Sequence, residues 1–166
     1  MTAADDAVRP VVAPGDGHRP PSRGTVVEIL TRGRGPVSVG TSGRCVVVVD
    51  DDPSIREVAA LSLSAVGGHD VQTAADGADG VELARRVRPD AVLLDVMMPT
   101  LDGPTVLAQM RAIDVLRDVP VVFLTAKVGA QEIRRLDGLG AVGVITKPFD
   151  PLGLPGRLAD VLGWDE

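Results

Sequence analysis

From Cys45 onward the chain alternates short apolar runs with stretches of helical periodicity, and five such pairs follow one another. Val46 to Val49 is a continuous β-branched run, the pattern of a strand covered on both faces, and it stops abruptly at Asp50, Asp51 and Asp52. Asp52 and Pro53 suit the N-cap and first position of a helix, which the pattern carries through about Val66 to a stop at Gly67 and Gly68. A weak strand over Val71 to Ala74 precedes a helix from about Ala78 to Val87, ended by Pro89. Ala91 to Leu94 predicts a third strand, followed by a helix from about Pro104 to Ile113. Val121 to Leu124 predicts a fourth, followed by a helix from about Ala130 to Leu139. Val142 to Thr146 predicts the fifth strand. Asp150 and Pro151 introduce a last helix that Gly153, Pro155 and Gly156 delay to about Leu154.

Residues 1–43 have a different texture. Pro, Gly, Arg and Ser dominate, and only Val26 to Leu30 resembles an ordered element. Few large apolar side chains leave little to offset the entropy of ordering, so this stretch is expected to be a flexible tail. Leader sequence upstream of the true start is the alternative. Gly33 and Gly35 suggest a dinucleotide-binding loop, but Ser38 stands where the third glycine belongs and no clear helix follows. The organisation expected is therefore a tail over 1–43 and one domain over 44–166.

Five strand–helix units with short connections imply an α/β fold, a doubly wound parallel sheet with helices on both faces, because every crossover is right-handed and covers the sheet. Ligands of such sheets bind beyond the carboxyl ends of the strands. Those ends carry Asp50 and Asp51 after the first strand, Asp95 after the third, Thr125 after the fourth and Lys147 after the fifth. All the candidate chemistry falls on one edge.

Composition narrows the function classes. Hydrophobic residues make up 45% of the 166, an ordinary globular share. No apolar run is long enough to span a membrane and the first thirty residues lack the apolar core of a signal peptide, so a cytoplasmic protein without a membrane partner is expected. The lone Cys45 has no partner for a disulfide and reads as a small strand residue. Residues 1–43 hold five Arg against four acids, so of the formal net charge of −6 the remainder carries −7. An acidic domain is a poor match for phosphate backbones, and nucleic acid is not expected as a partner. Only Lys127 and Lys147 break an otherwise all-Arg set of 17 basic residues. A retained Lys suggests a place where a compact ammonium is wanted instead of a planar fork.

Three carboxylates on one rim repel one another, and a hard divalent ion relieves them. Mg²⁺ favours one or two carboxylates, several waters and a phosphate oxygen. Asp51 and Asp95 are expected as direct ligands, Asp50 as a water-mediated one, and the backbone carbonyl of Met97 completes the protein's share. A carboxylate also attacks phosphorus to form an acyl phosphate, in a reaction governed by positioning and charge neutralisation. Asp95 is then the phospho-acceptor, Lys147 a second cation and the Thr125 hydroxyl a neutral donor. Each residue has a plainer explanation by itself: an acidic loop capping a helix, a strand-end turn, a β-branched strand residue. Five such coincidences at corresponding strand ends favour a site.

The motifs carry a resemblance. Val46-Val47-Val48-Val49-Asp50-Asp51-Asp52-Pro53, Leu93-Leu94-Asp95-Val96-Met97-Met98-Pro99 with Asp102-Gly103, Leu124-Thr125-Ala126 and Thr146-Lys147-Pro148-Phe149 resemble the receiver domains of two-component response regulators over residues 44–163. The resemblance implies a flavodoxin-like sheet of order 2-1-3-4-5, Asp95 as phospho-acceptor, Asp50 and Asp51 as the acidic pair, and Thr125 and Lys147 as switch and phosphate-binding residues. It further implies a histidine kinase or histidine phosphotransfer protein as donor and a cis peptide between Lys147 and Pro148.

The match has gaps. Receivers usually place an aromatic residue three positions before the Lys, where this chain has Val144, so a smaller conformational response is expected. No output domain is recognisable after Trp164. A stand-alone regulator acting through a changed surface on some protein target is the leading expectation, with a phosphorelay intermediate and a binding module that no longer signals as alternatives. A haloacid-dehalogenase-type phosphatase would need a second Asp where Met97 stands, so the chain is not expected to be an enzyme beyond catalysing its own phosphorylation and dephosphorylation.

Overall fold

The computed structural model describes residues 43–165; the expected tail, with Val26 to Leu30, Gly33 and Gly35, lies outside the described residues save for Gly43. Five strands, β1 (Cys45–Val49), β2 (Asp70–Ala74), β3 (Ala91–Asp95), β4 (Val121–Thr125) and β5 (Gly143–Thr146), form one parallel sheet in the order β2-β1-β3-β4-β5. Between and after them run α1 (Pro53–Leu61), α2 (Gly77–Val87), α3 (Gly103–Arg111), α4 (Ala130–Asp137) and α5 (Leu154–Leu162). Both the fold class and the strand order agree with the expectation.

The apolar runs are continuous because each strand feeds two cores. Side chains alternate across a strand, and Val47, Val49, Val92, Leu94, Val121 and Phe123 face α2, α3 and α4 through Val81, Val106, Leu107, Met110 and Leu136. Val46, Val48, Leu93, Val122 and Leu124 face the other way, onto Ala59, Leu154 and Leu158 of α1 and α5. At about 1.5–3 kcal/mol for each fully buried aliphatic or aromatic side chain, these two layers dominate the stability of the domain.

Aspartates start three of the helices. Asp52 accepts from the Ser54 and Ile55 amides at 2.8 and 3.2 Å, Asp76 from Asp79 at 2.8 Å and Asp102 from Thr105 at 2.9 Å. Gly77 opens α2 one residue earlier than predicted, where a Cβ would stand 2.5 Å from Val106 Cγ2, so α2 and α3 approach through a missing side chain. Helix α5 begins at Leu154, after a turn in which Asp150 O accepts from the Gly153 and Leu154 amides.

One expectation is corrected. The first helix does not run as an α-helix to Val66: it ends at Leu61 and widens into a π-helical turn over Ser62–Val66, where the Gly67 amide reaches back to Ser62 O. Two hydroxyls compete for backbone oxygens there. Ser62 is buried and donates to Pro151 O in the loop before α5, while Ser64 donates to Ala60 O. The 3-10 turn over Asp114–Leu116 was likewise not foreseen.

Candidate functional site

Register brings the site together. Val49 pairs with Leu94, so the next residues, Asp50 and Asp95, lie side by side. Asp95 pairs with Leu124, which puts Thr125 one step beyond it, and Thr125 pairs with Thr146, which puts Lys147 one step beyond that. Asp50, Asp95 and Thr125 are buried, Lys147 is half-buried and Asp51 is exposed. Each of Asp50, Asp51 and Asp95 offers a carboxylate oxygen within 4.8 Å of the others. The Lys147 ammonium donates to Asp50 Oδ2 at 2.8 Å and to Asp95 Oδ1 at 3.0 Å.

Each strand end is fixed by its own bonds. Asp50 Oδ1 accepts from the Asp52 amide at 2.9 Å, so both Asp50 oxygens are engaged. Beside Asp95, the Val96 amide donates to Leu124 O and Val96 O accepts from the Gly103 amide. Gly103 is required there, because a Cβ would come within 2.6 Å of Asp95 O. Thr125 Oγ1 accepts from the Lys127 amide at 3.1 Å, which leaves its own proton free to be donated into the site. Thr125 O accepts from the Lys147 amide at 2.8 Å, and the peptide from Lys147 to Pro148 is cis, as the resemblance implied.

Electrostatics follow from crowding. Burial pushes the Asp95 carboxyl up to about 6; the hydrogen bond from Lys147 opposes this and the charge of Asp50 reinforces it. Burial would depress Lys147, but its hydrogen bonds to Asp50 and Asp95, with their charges, outweigh that and raise it. The ammonium is therefore firmly charged beside a carboxylate that surrenders its proton late.

The donor set fits a hard cation: three carboxylates, with neither sulfur nor imidazole among them. Both Asp50 oxygens already accept a hydrogen bond, whereas Asp51 and one Asp95 oxygen take part in none of the bonds above. Met97, expected to lend its carbonyl, follows Asp95 by two residues and is 61% exposed. Sequence reasoning missed Arg56, whose Nη1 donates to Asp50 O at 2.8 Å. A helical Arg seven residues past a strand end carries no signal of that contact.

Residues 46–159 match the model of the response regulator receiver domain. The chain belongs to the receiver family. This receiver is 41% identical over 106 residues to the DNA-binding dual master transcriptional regulator RpaA of Synechocystis, covering 63% of this chain and 43% of that protein. It is 44% identical over 106 residues to the response regulator MprA of a Mycobacterium species, covering 63% and 44%. Among solved structures it is similar to the chemotaxis response regulator CheY4 of Vibrio cholerae, at 31% identity and a TM-score of 0.68, covering 72% of this chain and 99% of that one. The receiver thus spans less than half the length of the curated relatives it matches.

These relatives overturn one expectation. Acidic charge argues against nucleic acid as a partner, yet RpaA is named a DNA-binding regulator. Acidic charge characterises the surface of one domain, and this domain matches less than half the length of RpaA. Among the described residues no helix is long and apolar enough to cross a membrane. Receiver domains are phospho-accepting switches and not enzymes of the ordinary kind, and they bind Mg²⁺ at an acidic pocket; here Asp50, Asp51 and Asp95 form an acidic cluster.

Proposed function

We propose that this receiver accepts a phosphoryl group on Asp95 from a phosphohistidine of a kinase or phosphotransfer protein. The observation that carries the reading is the single ammonium shared between Asp50 and Asp95 at the rim where four strands end. An Asp95 carboxylate oxygen attacks phosphorus, the phosphorus–nitrogen bond to the donor imidazole breaks, and the leaving nitrogen takes up a proton. The product is an acyl phosphate. Asp51 and Asp95 are the residues to hold Mg²⁺ directly and Asp50 the one to hold it through water, and when bound the ion neutralises phosphoryl oxygens.

The chain's own residues supply the remainder. Lys147 exchanges its bond to Asp95 for one to a phosphoryl oxygen, and Thr125, whose hydroxyl proton is free, donates to another. Thr125 is tied through its amide-bound Oγ1 to Lys127, so its movement is transmitted to the loop that begins α4.

Output is proposed to run through a phosphorylation-dependent change of surface in a cytoplasmic protein. Similarity to CheY4, whose chain is covered almost completely, supports action as a separate domain. Similarity to RpaA supports control of a nucleic-acid-binding function. A relay role is the third possibility: a relay returns its phosphoryl group rapidly to a histidine protein, whereas a switch changes affinity for its target.

The test is incubation with acetyl phosphate and Mg²⁺ followed by intact mass. One added phosphoryl group is expected, and it should vanish in Asp95→Ala and without Mg²⁺. An unmodified wild type, or an Asp95→Ala protein modified to the same extent, overturns the reading.

A further inference from the structure

The acidic loop between β1 and α1 is closed by a circuit of hydrogen bonds. The Asp52 amide donates to Asp50 Oδ1 at 2.9 Å, the Ser54 and Ile55 amides donate to Asp52 Oδ1, and the Arg56 amide donates to Asp52 O at 3.0 Å. The Arg56 guanidinium closes it by donating through Nη1 to Asp50 O at 2.8 Å. Asp51 sits between the two peptide groups so fixed. The carbonyl before it is held by Arg56 and the amide after it is held by the Asp50 carboxylate. Its own exposed carboxylate takes part in none of these bonds.

We infer that Arg56 is a positioning residue for the cation site: by clamping the Asp50–Asp51 peptide from the second turn of α1, it aims the Asp51 carboxylate at the space it shares with Asp95. The inference rests on the proposed role of the three aspartates. Two physical effects compete at Arg56. Its charge, near the acidic cluster, disfavours a second cation, while its hydrogen bond preorganises the backbone of a ligand whose residue is exposed. Arg56 is half-buried, and its charge is partly screened by solvent, whereas the bond acts on the backbone of the ligand itself. Preorganisation therefore wins. Residues that orient metal ligands without touching the metal are worth about 10–100-fold in affinity.

The test is calorimetric titration of the full chain with Mg²⁺ alone. Arg56→Met, which keeps length but has no donor, should weaken binding about tenfold or more. Arg56→Lys, whose ammonium can donate to the same carbonyl, should recover part of the loss. Arg85→Met removes an exposed charge from α2 and should leave the affinity unchanged. A wild type without saturable Mg²⁺ binding overturns this inference together with the proposed role of the aspartates. A wild type that binds while Arg56→Met binds equally or more tightly overturns this inference alone. Amide hydrogen exchange in metal-free protein gives a second reading. Exchange at Asp51 and Asp52 should speed up in Arg56→Lys and in Arg56→Gln, and an unchanged rate in both overturns the clamp even where Arg56→Met does not fold.

Discussion

Lys147 bridges Asp50 and Asp95, with its ammonium 2.8 Å from one carboxylate and 3.0 Å from the other. One cation serves two buried anions, so the cluster is one negative charge in excess even before the exposed Asp51 is counted. Removing a single member of such a buried set leaves charges uncompensated. Lys147→Met is expected to destabilise the metal-free domain by roughly 2–4 kcal/mol at pH 8, as read from urea unfolding. The loss should shrink near pH 5, where Asp95 takes up a proton and relieves the repulsion. A variant as stable as wild type at pH 8 would mean that the bridge contributes little.

Asp95 gives the opposite sign. Its folded carboxyl is raised from 3.8 to about 6, first by burial, so the folded state holds this proton more tightly than the unfolded chain does. The stability that Asp95 contributes is complete below about pH 4 and is lost as pH rises through about 6. Above that window the ionised side chain is a cost that Asp95→Asn removes. The variant should be more stable than wild type by about 1–2 kcal/mol at pH 7.5 without metal, with the gain fading toward pH 4. Saturating Mg²⁺ should narrow or reverse the difference, because only the wild type keeps the full ligand set. Urea midpoints at three pH values decide the matter, and an Asn variant weaker than wild type at pH 7.5 contradicts it.

Much of this was legible in the sequence because the same residues carry pattern and chemistry. A strand covered on both faces must be a continuous apolar run, and the abrupt polar residue ending each run marks the rim of a parallel sheet. Asp50, Asp95, Thr125 and Lys147 announced themselves by that alone. What escaped depended on contacts between distant parts of the chain. The π-helical turn arises where Ser62 reaches Pro151, 89 residues away, and no local period encodes it. Arg56 looks like any surface Arg until α1 folds back over Asp50. The nucleic-acid expectation failed differently: net charge describes a surface, and a whole protein's partners do not follow from one domain's surface.

A second pH effect lies at the opposite edge of the sheet. The Arg44 guanidinium stands 4.6 Å from the Trp164 ring centre, and the His69 ring is 5.6 Å from the same tryptophan. His69 Nδ1 accepts from the Arg44 amide at 3.3 Å, which requires the unprotonated nitrogen. Burial and then the Arg44 charge lower the His69 pKa, with Asp90 opposing. The unfolded chain therefore binds this proton more readily, and the contribution is present above about pH 6.5 and is lost as pH falls below it. Trp164 is the only tryptophan, so its fluorescence reports on the cluster. His69→Gln, which keeps an acceptor without titrating, should flatten the emission change between pH 7.5 and 5. An identical change in the variant would assign it to another group.

The lifetime of the phosphorylated state should be set at the rim. Met97 lies two residues beyond Asp95 and is 61% exposed, and Lys127 lies two beyond Thr125, its amide bound to the Thr125 hydroxyl oxygen. On the proposed phosphorylation of Asp95, these are the two residues that would flank the route of a hydrolytic water. A thioether is at best a weak acceptor and holds no water in line with phosphorus. Slow autodephosphorylation follows. Met97→Asn places an amide with both donor and acceptor at the same position, and a water bound there is partly ordered before reaction. Orientation of this kind is worth up to orders of magnitude in favourable cases. At an exposed position a gain of about three- to tenfold is the reasonable expectation, since the new side chain is not itself held. Following the decay of the phosphorylated mass after donor removal measures it. Equal rates in the two proteins would move control of hydrolysis away from Met97, to Lys127 or to the approach over Asp51.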